Sequence, residues 1–217
     1  MTPAAVLAAA ALLTAAFAAP LWGLALTLRQ TGPASSMFQL RARRLAYLVL
    51  GAPPLFVLTG VTVGLLHPPM TDKTVWVIAW LAVGAYVLAG SNAAPKPIAG
   101  SVARWRVIHG ATAAAITVYI LFHLGNHLLG LIGPDAHAAM MKAGRHVYRS
   151  PVIEPVLIGL VLFQAGTGMR LAARWSAAPG NAHRAFQAAS GAYLAAFIIT
   201  HMNSLFAARV VRKLETG

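Results

Sequence analysis

Apolar residues along this chain gather into blocks, with no heptad or collagen-like repeat among them. Six blocks stand out, at about Pro3 to Leu28, Leu45 to Leu66, Thr74 to Ala94, Val107 to Ile132, Pro151 to Leu171 and Ala185 to Val210. Each is close to the ~20 residues that a helix rising about 1.5 Å per residue needs to cross a hydrocarbon core about 30 Å thick. The pattern predicts an all-α integral membrane protein, a bundle of about six transmembrane helices. Proline and glycine punctuate it. Pro53-Pro54 predicts a kink inside the second block, because a proline removes a backbone donor and crowds the preceding turn. His67-Pro68-Pro69 ends that block, Pro95-Lys-Pro97 the third and Gly133-Pro134 the fourth. Pro151 suits the first turn of the fifth. Met1-Thr-Pro lacks the basic start of a signal peptide, so the first block reads as a retained helix.

Composition sharpens this picture. Of 217 residues, 59% are hydrophobic and only 10% charged, and the mean hydropathy of +0.70 excludes a soluble domain. Disorder is excluded too, since it requires low hydrophobicity and high charge. Seventeen Lys and Arg against four Asp and Glu give a formal charge of +13. The basic residues stand at the ends of the blocks, where cytoplasmic loops and lipid headgroups account for them, so nucleic acid is not an expected partner and membrane lipids are. With six crossings, the first, third and fifth connections carry ten basic residues and the opposite side carries seven. The positive-inside rule then puts the first set in the cytoplasm and both termini on the outer side of a bacterial-type inner membrane. The chain has no cysteine. Any redox centre it holds must use His, Met or an organic cofactor.

Polar groups that cannot reach the membrane surface are costly in hydrocarbon without a partner or ligand. The fourth block carries Tyr119-Ile-Leu-Phe122-His123-Leu-Gly125-Asn126-His127, and the sixth Phe197-Ile-Ile-Thr200-His201-Met202-Asn203. His123 lies 17 residues after Arg106, and His201 lies 17 residues after Arg184. Both imidazoles are thus expected about 25 Å from the cytoplasmic boundary, at one level in the outer leaflet. Two imidazoles at equal depth on two helices are what bis-His ligation of a haem requires. Without Cys-x-x-Cys-His, that haem is b-type. Gly125 and Gly191 would let a helix backbone or a porphyrin edge approach. Two other readings stand beside this one. Each His can be an ordinary hydrogen-bonded packing residue, or His123, His127 and His201 can form a three-imidazole zinc or copper site. His109 and His183, beside Arg106 and Arg184, read as a headgroup-level cluster, or as residues for quinone chemistry or partner docking. Glu154 reads as a helix-dipole cap. The basic stretch from Asp135 to Arg149, with His137, Lys142, Arg145 and His146, reads as an outer loop, some of whose residues could neutralise haem propionates. Trp76, Trp80 and Trp105 read as interface anchors.

From about Arg104 to Arg209 the chain resembles the cytochrome b membrane-anchor subunit of succinate dehydrogenases and fumarate reductases, in particular the larger two-haem type. Phe122-His123 matches the ligand pair near the outer end of that family's early helix. Tyr148-Arg-Ser-Pro151 followed by Phe163-Gln164-Ala-Gly-Thr-Gly168 resembles its second ligand helix, with Gln164 where the family carries the motif His. Gln187-Ala-Ala-Ser-Gly191 opens a third helix that ends in a match to His201. The resemblance implies one haem b (heme b) held by His123 and His201, with the family's proximal haem lost, because its motif His and its final ligand helix are both missing here. It divides the chain into residues 1–97, three additional transmembrane helices of unassigned role, and 98–217, a cytochrome-b-like three-helix region. It also implies an electron-transfer subunit of a respiratory complex, exchanging electrons with quinone or a partner subunit and docking a soluble catalytic subunit on its basic face. A haem-free structural or assembly subunit and a transporter lined by His123, Asn126, His127, His201 and Asn203 are the alternatives.

Overall fold

The computed structural model describes residues 2–96, 100–178, 180–211 and 213. Met1, Pro97, Arg212, the boundary expected at 97/98 and the polar tail from 214 lie outside the described residues. Helices and short turns make up the rest, with no strand among the described residues. The helices are α1 (Pro3–Arg29), α2 (Met37–Leu50), α3 (Ala52–Leu66), α4 (Asp72–Leu88), α5 (Ala103–Leu128), α6 (Pro134–Tyr148), α7 (Ile153–Ala177) and α8 (Ala182–Phe206). A 3₁₀ turn, Leu129–Leu131, extends α5, and a π turn, Ala207–Val211, extends α8. With these extensions α1, α5, α7 and α8 are long and apolar enough to cross a membrane, and α2 with α3, bent by 70° at their junction, make a fifth if the pair is one span. The all-helical membrane class is therefore seen, with four or five such spans where the block pattern predicts about six.

Local chemistry explains most helix starts. Side-chain oxygens of Thr2, Ser36, Thr71 and Asn181 each accept from the backbone N–H three residues on, satisfying donors that a first turn leaves open. The kink expected at Pro53-Pro54 is present, with Gly51 between α2 and α3. The third block is shorter than expected and stops at Leu88. The reason is a close approach: a Cβ on Gly90 would lie 2.6 Å from Phe38 Cα, and Phe38 N donates to Ser91 O at 3.2 Å.

The chain forms two compact units. The first comprises α1 to α4, the last turns of α7 from Ala172, and α8. In it α1, α2 and α3 pack on α8, whose face of Ala185, Ala188, Ala189 and Ala196 is buried. Small side chains there let helix backbones come close. Tyr47 and Leu50 fill the core against Ala188 and Ala189. A Cβ on Gly23 would stand 3.0 Å from Ala46 O, so α1 meets α2 backbone to backbone. Thr200 Oγ1 lies 2.9 Å from Pro54 O and 2.8 Å from Ala196 O, fastening the kink to α8. Phe56, Trp76 and Trp80 stack edge to face between α3 and α4, at centroid distances of 5.3 and 5.4 Å.

Of the arginines expected in the first connection, Arg29 ends α1, while Arg41, Arg43 and Arg44 are on α2, and the last two organise this unit. Arg43 is 4% exposed. It donates from Nε to Gln30 Oε1 (3.1 Å) and from Nη1 to Gly32 O (2.7 Å) and Ser176 O (3.4 Å). Arg44 donates from Nε to Ser176 Oγ (3.1 Å) and from Nη2 to Ala173 O (3.2 Å). Two cations thereby stand at the negative end of the α7 dipole, and Arg43 supplies a donor to Ser176 O, one of the carbonyls a last turn leaves open. Two backbone bonds, Ala34 N to Ala177 O at 2.8 Å and Gly180 N to Thr31 O at 2.9 Å, complete the clasp.

The second unit holds α5, α6 and α7 up to Leu171. The stretch expected as a basic outer loop is the amphipathic helix α6. Pro134 opens it, Asp135 stands in its first turn and Arg145 and His146 in its last, as the dipole favours. Its stripe of His137, Met141, Gly144 and Tyr148 has helical spacing, and a Cβ on Gly144 would lie 3.1 Å from Asn126 Nδ2 on α5. Glu154 stands in the first turn of α7 as expected. Pro151 lies in the turn before it, and Ser150 Oγ accepts from Ile153 N at 3.1 Å.

Replacing Arg43 by Met is expected to cost about 1.5 to 3 kcal/mol, the range for hydrogen bonds to a charged group. Thermal unfolding in detergent measures it. Arg43→Lys should recover only part, since an ammonium cannot serve three acceptors arranged for a planar fork. An unchanged midpoint in Arg43→Met would show that the clasp contributes nothing.

Candidate functional site

His123 lies on α5 in the second unit, half-buried among rings. Tyr119 stacks on it at 5.9 Å and 21°, and His127 meets it edge-on at 4.7 Å and 83°. His127, on the same face one turn on, is exposed and lies 5.5 Å from His137 of α6. Tyr148 adjoins Tyr119 at 6.3 Å. Three buried polar atoms of this neighbourhood, Asn126 Nδ2, His137 Nε2 and Tyr148 OH, have no hydrogen-bond partner, and Asn126 as a whole is 3% exposed. Buried polar groups are nearly always paired, so three orphans in one cluster mark it as unusual. Among the described residues, no group of three or more His, Asp or Glu is arranged to hold a metal ion.

His201 belongs to the first unit. It stacks on Phe197 at 6.1 Å with the rings within 6° of parallel. The buried Thr200 fixes the backbone immediately before it, and Asn203, two residues on, has a buried Nδ2 without a partner. The glycines expected to admit a close neighbour do not meet one: a Cβ on Gly125 or Gly191 would find nothing within 4 Å. The close approaches fall at Gly23, Gly51, Gly90 and Gly144 instead.

The second unit contains a polar network that the sequence reading missed. Thr112 Oγ1 donates to Gln164 Oε1 at 2.7 Å, which turns the Gln164 amide nitrogen toward His109 Nε2 at 3.0 Å. His109 Nδ1 lies 2.8 Å from Thr167 Oγ1, and Thr167 in turn donates to Phe163 O at 2.8 Å. The orientation of the Gln164 amide sets the directions. Gln164 donates to Nε2, so His109 carries its proton on Nδ1 and passes it to Thr167. His109 is therefore a bridge between α5 and α7 rather than one of a headgroup-level cluster. A signal for it existed: His109 and Thr112, like Gln164 and Thr167, are three residues apart, which puts each pair on one helix face. Trp105, expected as an interface anchor, lies 6.4 Å from Phe163 with the Arg170 guanidinium 5.6 Å from its ring centre.

Searches against protein-family models, curated proteins and solved structures find no match to this chain.

Imidazole ¹⁵N NMR of selectively labelled protein should report His109 as the neutral Nδ1–H tautomer. Gln164→Leu should remove that bias and lower stability by about 1 to 3 kcal/mol, because His109 Nε2 would be left unpaired, while Thr112 keeps the Ile108 carbonyl as an acceptor. An Nε2–H tautomer in the unaltered protein would contradict the network.

Proposed function

We propose that the chain is a membrane-anchor, electron-transfer subunit akin to the cytochrome b of succinate dehydrogenase or fumarate reductase, in which His123 and His201 would hold one haem b. The matched placement of the two histidines, each 17 residues after an arginine at a helix start, carries the reading. The donor chemistry fits the group. Both are imidazoles, each stacked on a ring, Tyr119 or Phe197. Beside His123, the unpaired Asn126 Nδ2, His137 Nε2 and Tyr148 OH are groups from which a carboxylate such as a propionate could accept. Gln164, at the position of the second ligand motif, has its amide committed to Thr112 and His109, which supports a single site rather than two.

When bound, the haem would supply one-electron chemistry, with its potential set by the two imidazoles and their surroundings. In this reading α3 and α4 also cross, giving six spans. At 17 residues α4 is about 25 Å long, the lower limit for a crossing. The basic connections face the cytoplasm of a bacterial-type inner membrane, both termini lie outside, and electrons pass to or from quinone or a partner subunit. A haem-free structural subunit is the second reading, favoured by the closed chain from Thr112 to Thr167, which satisfies its polar groups without any ligand.

A reduced-minus-oxidised spectrum of the purified protein distinguishes the two. The expected result is a low-spin b-type signal at one haem per chain, abolished in His123→Ala and in His201→Ala and retained in Gln164→Ala. A protein expressed with ample haem yet lacking a Soret band, or both histidine variants keeping the signal, would favour the structural subunit.

A further inference from the structure

A cavity of about 430 Å³ in the first unit is lined by Met37, Leu40, Arg44, Pro95, Lys96 and Ala177, among others. Met37, Leu40 and Arg44 follow one another at three- and four-residue steps and so share one face of α2. The opposite wall is the segment around Pro95 and Lys96, held in place by two backbone bonds, Met37 N to Ala93 O at 2.9 Å and Phe38 N to Ser91 O at 3.2 Å. These bonds satisfy the first donors of α2, so the wall is part of the helix cap. The cavity thus has apolar sides and two cations, and no acidic residue is among the described residues that line it. Arg44 engages α7 through Nε and Nη2, and its Nη1 has no partner among the described residues. The chain as a whole has four acidic residues against seventeen basic ones, so an internal counter-ion is scarce.

We propose that this cavity binds the phosphate of an anionic phospholipid, with Arg44 and Lys96 on the phosphodiester and Met37, Leu40 and Pro95 against the glycerol and the first acyl carbons. Basic pockets between membrane helices recognise anionic headgroups by this combination of charge and apolar wall. Free phosphate would satisfy the cations but leave the apolar side without a partner. The assignment is independent of the haem.

Native mass spectrometry of the purified full chain, titrated with phosphatidylglycerol or phosphatidylcholine of identical acyl chains, tests it. Phosphatidylglycerol should bind at least about fivefold more tightly. Lys96→Gln should remove most of that preference with phosphatidylcholine binding unchanged, and Lys96→Arg should retain it. Ala94→Trp, which fills the cavity and leaves the Arg44 clasp intact, should weaken both lipids. Equal binding of the two lipids, or an undiminished preference in Lys96→Gln, overturns the proposal. So does inorganic phosphate displacing phosphatidylglycerol at equal concentration, which would make the site one for a free anion.

Discussion

A guanidinium taken out of water needs its charge answered, and this chain has almost no carboxylates with which to do so. Arg43 and Arg44 are answered by oxygens that carry partial charge only: carbonyls at the end of α7, the Gly32 carbonyl, the Gln30 amide and the Ser176 hydroxyl. A helix terminus concentrates about half an elementary charge of the required sign, so two arginines there are stabilised without an ion pair. The arrangement does two jobs at once, since it also supplies a donor to Ser176 O in the last turn of α7. It also fixes where α2 begins and how the connection after α1 folds back, because Gln30, Gly32 and Ala34 are all bound into it. The packing of α1, α2 and α3 on the alanine face of α8 builds on that anchor.

The spans of this fold were legible because the bilayer sets their length, and a block of apolar residues reports that length directly. The kink at Pro53-Pro54 was legible for an equally local reason, the missing backbone donors. Arg41, Arg43 and Arg44 were not, because a run of arginines reads as a connection unless its acceptors are known, and these lie far along the chain: Tyr86 for Arg41, and Ser176, 132 and more residues away, for Arg43 and Arg44. Helix α6 was overlooked although its stripe of His137, Met141, Gly144 and Tyr148 is visible in the sequence. A search for apolar blocks passes over a helix that is polar on one side. The length of α4 depends on the meeting of Gly90 and Phe38, a contact no periodicity encodes.

The candidate site divides in the same way. That His123 and His127 share a face follows from their spacing, and the structure bears this out. The orphaned atoms around them depend on α6, whose packing on α5 no local pattern encodes. Gln164 illustrates how a resemblance and a structure inform each other. Seen against the family's motif it is a missing ligand. Seen in the fold it is the centre of a hydrogen-bond chain that ties α5 to α7.

The contact of Gly90 with Phe38 has a topological consequence. It brings the chain back, after more than fifty residues, to the place where α2 started. Whatever depth α3 and α4 reach in between, the excursion is a closed detour that begins and ends at one level. Counting both as crossings or neither therefore changes the tally by two, and the parity of the path from the first helix to the last is unaffected. Insertions that deepen or shorten this detour can then vary without inverting everything that follows.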